Sequence, residues 1–166
     1  MNRLMRIVSL IALVIAAQGV SAAQDGPEQA ILRRAGAASQ KSEPEWTFVN
    51  YPCDCSLGDE QLGVAMGGWE RISDGTRVGV SVYTMTTTEA AASWLDRHAH
   101  GEAPVGWTVV SYQMGDDATM STYADSSGST QYQMNFRKGR FLVLMGGRSQ
   151  DLVKRFAPFV LTAISS

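Results

Sequence analysis

Residues Thr130 to Arg137 alternate without a break, with Thr130, Tyr132, Met134 and Phe136 on one side and Gln131, Gln133, Asn135 and Arg137 on the other. Only a strand, whose side chains repeat every two residues, sorts such a run into one apolar and one polar face. The segment must therefore lie half-buried against a core. A tight turn at Lys138-Gly139 sets Phe136 opposite Phe141, Met134 opposite Val143 and Tyr132 opposite Met145. The returning strand also carries Leu142 and Leu144 on its second face. That face needs cover too, and the N-terminal helix is a candidate for it.

The rest of the chain follows the same short-strand pattern. Trp46 to Asn50 reads as a strand, and Leu62 to Ile72 and Arg77 to Tyr83 flank Ser73-Asp74-Gly75-Thr76, a strong hairpin signal. A two-residue turn at Asp74-Gly75 pairs Trp69 with Val80 and Arg71 with Val78, and puts Val78, Val80 and Val82 on one core-facing side. Trp107 to Met114 and Ala118 to Tyr123 read as further strands, the latter joined onward through Asp125-Ser126-Ser127-Gly128.

Three segments read as helices. Asp25-Gly26-Pro27-Glu28 starts one that runs to about Ala38, followed by a polar linker from Ser39 to Glu45. Thr86 and Glu89 have the spacing of a capping box, opening a helix with Ala92, Leu95 and Ala99 on one stripe, ended at Gly101 before a loop with Pro104 and Gly106. Ser149 caps the last helix, whose stripe is Leu152, Val153, Phe156, Phe159, Val160 and Ile164, with Pro158 as a point of kinking. The element order predicts a single α+β domain over residues 46–166, a mostly antiparallel sheet packed by two or three helices, preceded by a helix and linker over 24–45.

Residues 1–23 read as a secretory signal peptide: Arg3 and Arg6, an apolar run from Ile7 to Ala17, then the small residues of Val20-Ser21-Ala22-Ala23. The run has 11 residues, against about 20 for a membrane span, so no span is expected after cleavage. The expected location is the periplasm or the exterior. Losing Arg3 and Arg6 leaves 12 basic against 16 acidic residues. That balance, with no dense basic tract beyond Arg137, Lys138 and Arg140, argues against nucleic-acid binding.

Export changes how Cys53-Asp54-Cys55 is read, because an oxidising compartment favours disulfides. A bond across one residue is geometrically restricted, so the pair is both a disulfide candidate and a redox candidate. His98 and His100 are the imidazoles available to join Cys53 and Cys55 in a soft-metal site, although their place at a helix end also suits capping. Trp69 and Trp107, among four tryptophans, are candidate ligand contacts as well as core anchors. Arg137, Lys138 and Arg140 form a basic hairpin tip suited to an acidic partner. Asp116 and Asp117, being adjacent, point apart in a strand and suit a turn better than a carboxylate pair. There is no Gly-x-Ser-x-Gly elbow and no cofactor motif, so no cofactor is expected.

Gly115-Asp116-Asp117-Ala118, the tip Phe136-Arg137-Lys138-Gly139-Arg140-Phe141 and the closing amphipathic helix together resemble a pattern in small secreted bacterial domains of unknown function. The layout is similar to PsbP-type α+β domains. The resemblance covers about residues 107–165, has Asp117 where the pattern more often has Glu, and implies an exported bacterial protein without supplying a catalytic residue. The expectation is an exported binding or accessory domain whose partner is an envelope protein or small molecule. The alternative is a thiol-redox or metal-handling protein using Cys53 and Cys55.

Overall fold

A computed structural model describes residues 26–100 and 106–166. In chain order these form α1 (Pro27–Ser42), β1 (Trp46–Tyr51), β2 (Gln61–Arg71), β3 (Arg77–Met85), α2 (Thr88–His100), β4 (Thr108–Tyr112), β5 (Asp117–Ala124), β6 (Thr130–Lys138), β7 (Phe141–Gly147) and α3 (Gln150–Ser165). The seven strands make one antiparallel sheet in the order β1-β2-β3-β7-β6-β5-β4. The α+β expectation therefore holds. The expected signal peptide, Gly101 and Pro104 lie outside the described residues.

The main core lies where the alternating apolar residues meet α1 and α3. Trp69, Val78, Val80, Val82, Met134, Phe136, Val143 and Met145 are buried there with Ile31, Leu32, Val153, Phe156 and Val160. Trp69 stacks on Phe156 at 4.8 Å, and Trp46 meets the same ring edge-on at 4.9 Å. Burying an aliphatic or phenyl side chain of this kind stabilises the fold by about 1.5–3 kcal/mol, so this layer holds most of the hydrophobic stabilisation. Ser149 caps α3 by accepting the Leu152 amide, and α3 continues through Pro158 to Ser165.

On the opposite face, Ala90, Ala91 and Leu95 of α2 cover Met85 and Leu142. The expected cover of Leu142 and Leu144 by the N-terminal helix is thus corrected, since α1 packs on β1, β2 and β3 within the main core. The reason is local. Only Thr86 and Thr87 separate β3 from α2, which keeps α2 on the side to which Met85 points.

Three further expectations shift. α1 runs past Ala38 to Ser42, leaving Glu43-Pro44-Glu45 as the link, because the polar residue Ser39 faces inward and is 2% exposed. The α2 cap is Thr87, whose hydroxyl accepts the Ala90 amide at 3.0 Å. Thr86 is held instead by its amide donating to the Glu60 carbonyl, so the Thr86–Glu89 capping box does not form. Both hairpins pair two residues away from the expected register. Trp69 meets Val78 across a loop of residues 72–76, and Phe136 meets Val143 across Gly139-Arg140. Gly139 takes φ 56° as the first turn residue, a conformation glycine adopts at little cost. A two-residue slip preserves which side chains face the core, which is why the burial pattern was legible although the pairing was not.

Candidate functional site

The expected site residues do not converge. Trp69 is fully buried, and its indole N–H donates to Ser39 Oγ at 2.7 Å. Its role as a ligand contact is therefore replaced by that of a core anchor. Trp107 is half-buried and stacks on Tyr123 with ring centroids 3.9 Å apart and planes 2° apart. His98 stacks on Trp94, and its Nδ1 lies 2.8 Å from the Trp94 carbonyl oxygen. The His100 side chain lies outside the described residues. Among the described residues no group of three His, Cys, Asp or Glu side chains is placed to hold a metal.

The basic tip is tied to a carboxylate. Asp116 accepts Lys138 Nζ at 2.8 Å and the Gly139 amide at 2.7 Å, with an Arg137 guanidinium nitrogen 3.7 Å away. The Lys138 hydrogen bond, followed by that of the Gly139 amide, holds the Asp116 carboxyl below the usual range. Of the three basic residues Arg140 is exposed, whereas Arg137 and Lys138 are half-buried. The Asp116 amide also donates to the Arg137 carbonyl at 2.9 Å. The Gly-Asp turn and the hairpin tip noted in the sequence are therefore one packed unit.

Cys53 and Cys55 pair with each other in the segment after β1. Their Cα atoms are 5.1 Å apart, inside the roughly 4.4–6.8 Å that disulfides span. Cys55 Sγ lies 3.7 Å from Met66 Sδ. Joined to Cys53, Cys55 has no proton to donate, so this is a contact between two sulfurs.

A different feature emerges on the sheet face that α2 leaves partly uncovered. Gly68, Gly79 and Gly146 stand opposite one another on β2, β3 and β7, a row of glycines across three neighbouring strands. Tyr51, Met66, Ser81 and Leu144 form the next row. Two cavities meet over Gly79 and Gly146. One of about 310 Å³ is walled by Tyr51, Met66, Ser81, Gln133 and Leu144, and one of about 650 Å³ by Arg77, Tyr123, Gln131 and Arg148. Trp107, which stacks on Tyr123, braces the wall of the larger cavity.

Packing explains several of the chain's glycines but not these two. A Cβ at Gly67 would meet the Phe48 ring at 2.6 Å, and one at Gly68 would meet the Val78 carbonyl oxygen at 2.7 Å. At Gly79 and Gly146 the nearest atoms would be 3.9 and 3.6 Å away, ordinary contact distances. Neither of the two has a positive φ. Glycine inside a strand costs about 0.5–1 kcal/mol relative to alanine, and in such places it often marks the close approach of a ligand or another backbone.

The charges around the groove are partly paired. Arg71 is held by Asp74 at 3.0 Å and Arg77 by Glu70 at 3.2 Å. The Thr76 amide, donating to Asp74, holds that carboxyl below its ordinary value. Arg148 is exposed and has no acidic partner among the described residues. Gly79 and Gly146 are plain in the sequence, but their alignment depends on long-range strand pairing that no local pattern encodes. No protein-family model matches the chain, and no curated protein matches it.

Proposed function

We propose that this chain is an exported, non-catalytic binding domain of the cell envelope that holds a carboxylate-bearing ligand over Gly79 and Gly146. The observation that carries the proposal is the pair of strand glycines that packing does not require, lying beneath two confluent cavities. Arg148, which has no acidic partner among the described residues, selects an anionic ligand, since the planar guanidinium fork matches a carboxylate. Gln131 and Ser81 offer hydrogen bonds, and Tyr51 and Tyr123 offer aromatic surface. Export is supported by the basic, apolar and small-residue order of residues 1–23. No described helix is long and apolar enough to cross a membrane.

The test is a thermal-shift screen of the mature chain against uronic acids, dicarboxylates and acidic peptides, with calorimetry on each compound that raises Tm. A ligand at 100 times its Kd stabilises by about 2.7 kcal/mol, a shift of several degrees. Binding should vanish in Gly146→Val, which fills the groove, and weaken in Arg148→Ala, with both variants folded by circular dichroism. Absence of any stabilising carboxylate, or full binding by both variants, would overturn the reading.

A further inference from the structure

We infer that Cys53, Cys55 and Met66 form a three-sulfur site for Cu(I) when the cysteine pair is reduced. The pair is adjacent in the chain, but Met66 comes from β2. β1 and β2 place it there by pairing Tyr51 with Met66 just before the cysteine segment begins. The resulting separation of Cys55 Sγ and Met66 Sδ is 3.7 Å. Metal–thiolate bonds are about 2.3 Å long, so donors arranged trigonally around one ion lie roughly 4 Å apart. Two of the three sulfurs thus already stand at the spacing that a shared ion requires. The third, Cys53, needs only to part from Cys55, and the 5.1 Å between their Cα atoms leaves room for that.

Donor chemistry selects the ion. Thiolate and thioether sulfurs suit Cu(I), whereas structural zinc takes four ligands, usually thiolate and imidazole. Among the described residues no group of three His, Cys, Asp or Glu side chains exists to complete a zinc site. Cys55 is exposed and Met66 is half-buried, so an ion can enter from solvent.

The site opens by a defined exchange. A dithiol reductant delivers two electrons and two protons, the Cys53–Cys55 bond breaks to two thiols, and the reductant closes to its own disulfide. Cu(I) then binds the two sulfurs as thiolates, releasing their two protons to solvent, with the Met66 thioether as the neutral third donor.

The experiment is anaerobic titration of the reduced mature chain with cuprous ion alone, in competition with a chromophoric Cu(I) chelator. One ion should bind per chain. The oxidised protein and Cys53→Ser/Cys55→Ser should take up none, and Met66→Leu should bind roughly tenfold or more weakly, at least the loss that follows removal of an outer-shell partner. X-ray absorption should find three sulfurs around copper in the wild type and two in Met66→Leu. Met66 is a half-buried side chain, so its exchange for leucine leaves the fold intact. Gly146→Val should bind copper as the wild type does, which separates this site from the groove ligand. Equal affinity of Met66→Leu and wild type, a two-sulfur environment in the wild type, or uptake by the oxidised protein would overturn the inference.

Discussion

The indole N–H of Trp69 donates to the hydroxyl of Ser39 at 2.7 Å, and that hydroxyl donates in turn to the Gly36 carbonyl at 2.9 Å. Both side chains are buried. The serine is thus a buried polar link between α1 and β2. Ser39→Ala removes the acceptor and leaves a buried indole N–H unsatisfied, which costs about 1–3 kcal/mol. Thermal unfolding should show Tm lowered by roughly 3–10 °C. An unchanged Tm would mean that Trp69 is satisfied in another way.

The same residue shows where sequence reading stops. Ser39 sits among Gln40, Lys41 and Ser42, a polar run that reads as linker, and only the position of Trp69 on a distant strand shows that it belongs inside the fold. The alternation of residues 130–137, the valines of β3 and the Ser149 cap were legible because each depends on local periodicity or on one backbone amide. Cover of Leu142 by α2 depended on the brevity of Thr86-Thr87. The glycine row and the approach of Met66 to Cys55 depended on register across strands. A two-residue slip moves such pairs without changing which face is apolar, so hydrophobic pattern alone could not align them.

If Gly79 and Gly146 serve a ligand rather than the fold, alanine should be tolerated at both. Gly79→Ala and Gly146→Ala are expected to leave stability unchanged or raise it by about 0.5–1 kcal/mol, through the lower entropy of the unfolded chain. Gly67→Ala should do the opposite, because its Cβ would stand 2.6 Å from the Phe48 ring and 2.9 Å from the Val49 carbonyl oxygen. Urea unfolding of the three variants measures the contrast. Destabilisation of all three alike would return the row to a structural role.

Asp125 contributes to the acid side of the stability profile. Ser127 Oγ donates to it at 2.6 Å and Gln131 Nε2 at 2.7 Å, and the Ser127 and Ser129 amides add two more bonds. These bonds, the Ser127 hydroxyl first, lower its pKa to about 2. A carboxyl whose folded pKa is depressed contributes stability above its unfolded value of about 3.9, and loses it as pH falls toward the folded value. The β5–β6 turn should therefore loosen between about pH 4 and pH 2. Carboxyl-carbon NMR should show Asp125 titrating near the lower limit. Asp125→Asn, which keeps an acceptor but no titration, should flatten this part of the stability curve; an Asp125 midpoint near 4 would contradict the assignment.

Glu28 is 5% exposed at the start of α1, where the Thr84 hydroxyl donates to it and Gly63 of β2 makes room for it. A Cβ at position 63 would stand 2.8 Å from the Glu28 carboxyl carbon. The carboxylate is buried and bonded, so it has little freedom to retreat, and Gly63→Ala should cost about 1–3 kcal/mol as overpacking. In a Glu28→Ala background the collision disappears and the same substitution should cost little. A double-mutant cycle by urea unfolding should then give a favourable coupling of roughly 1 kcal/mol or more, within the range seen for residues in contact. Strict additivity would show that Gly63 answers to the irregular pairing of β2 with β3 between Gln61 and Gly63, and not to the buried acid.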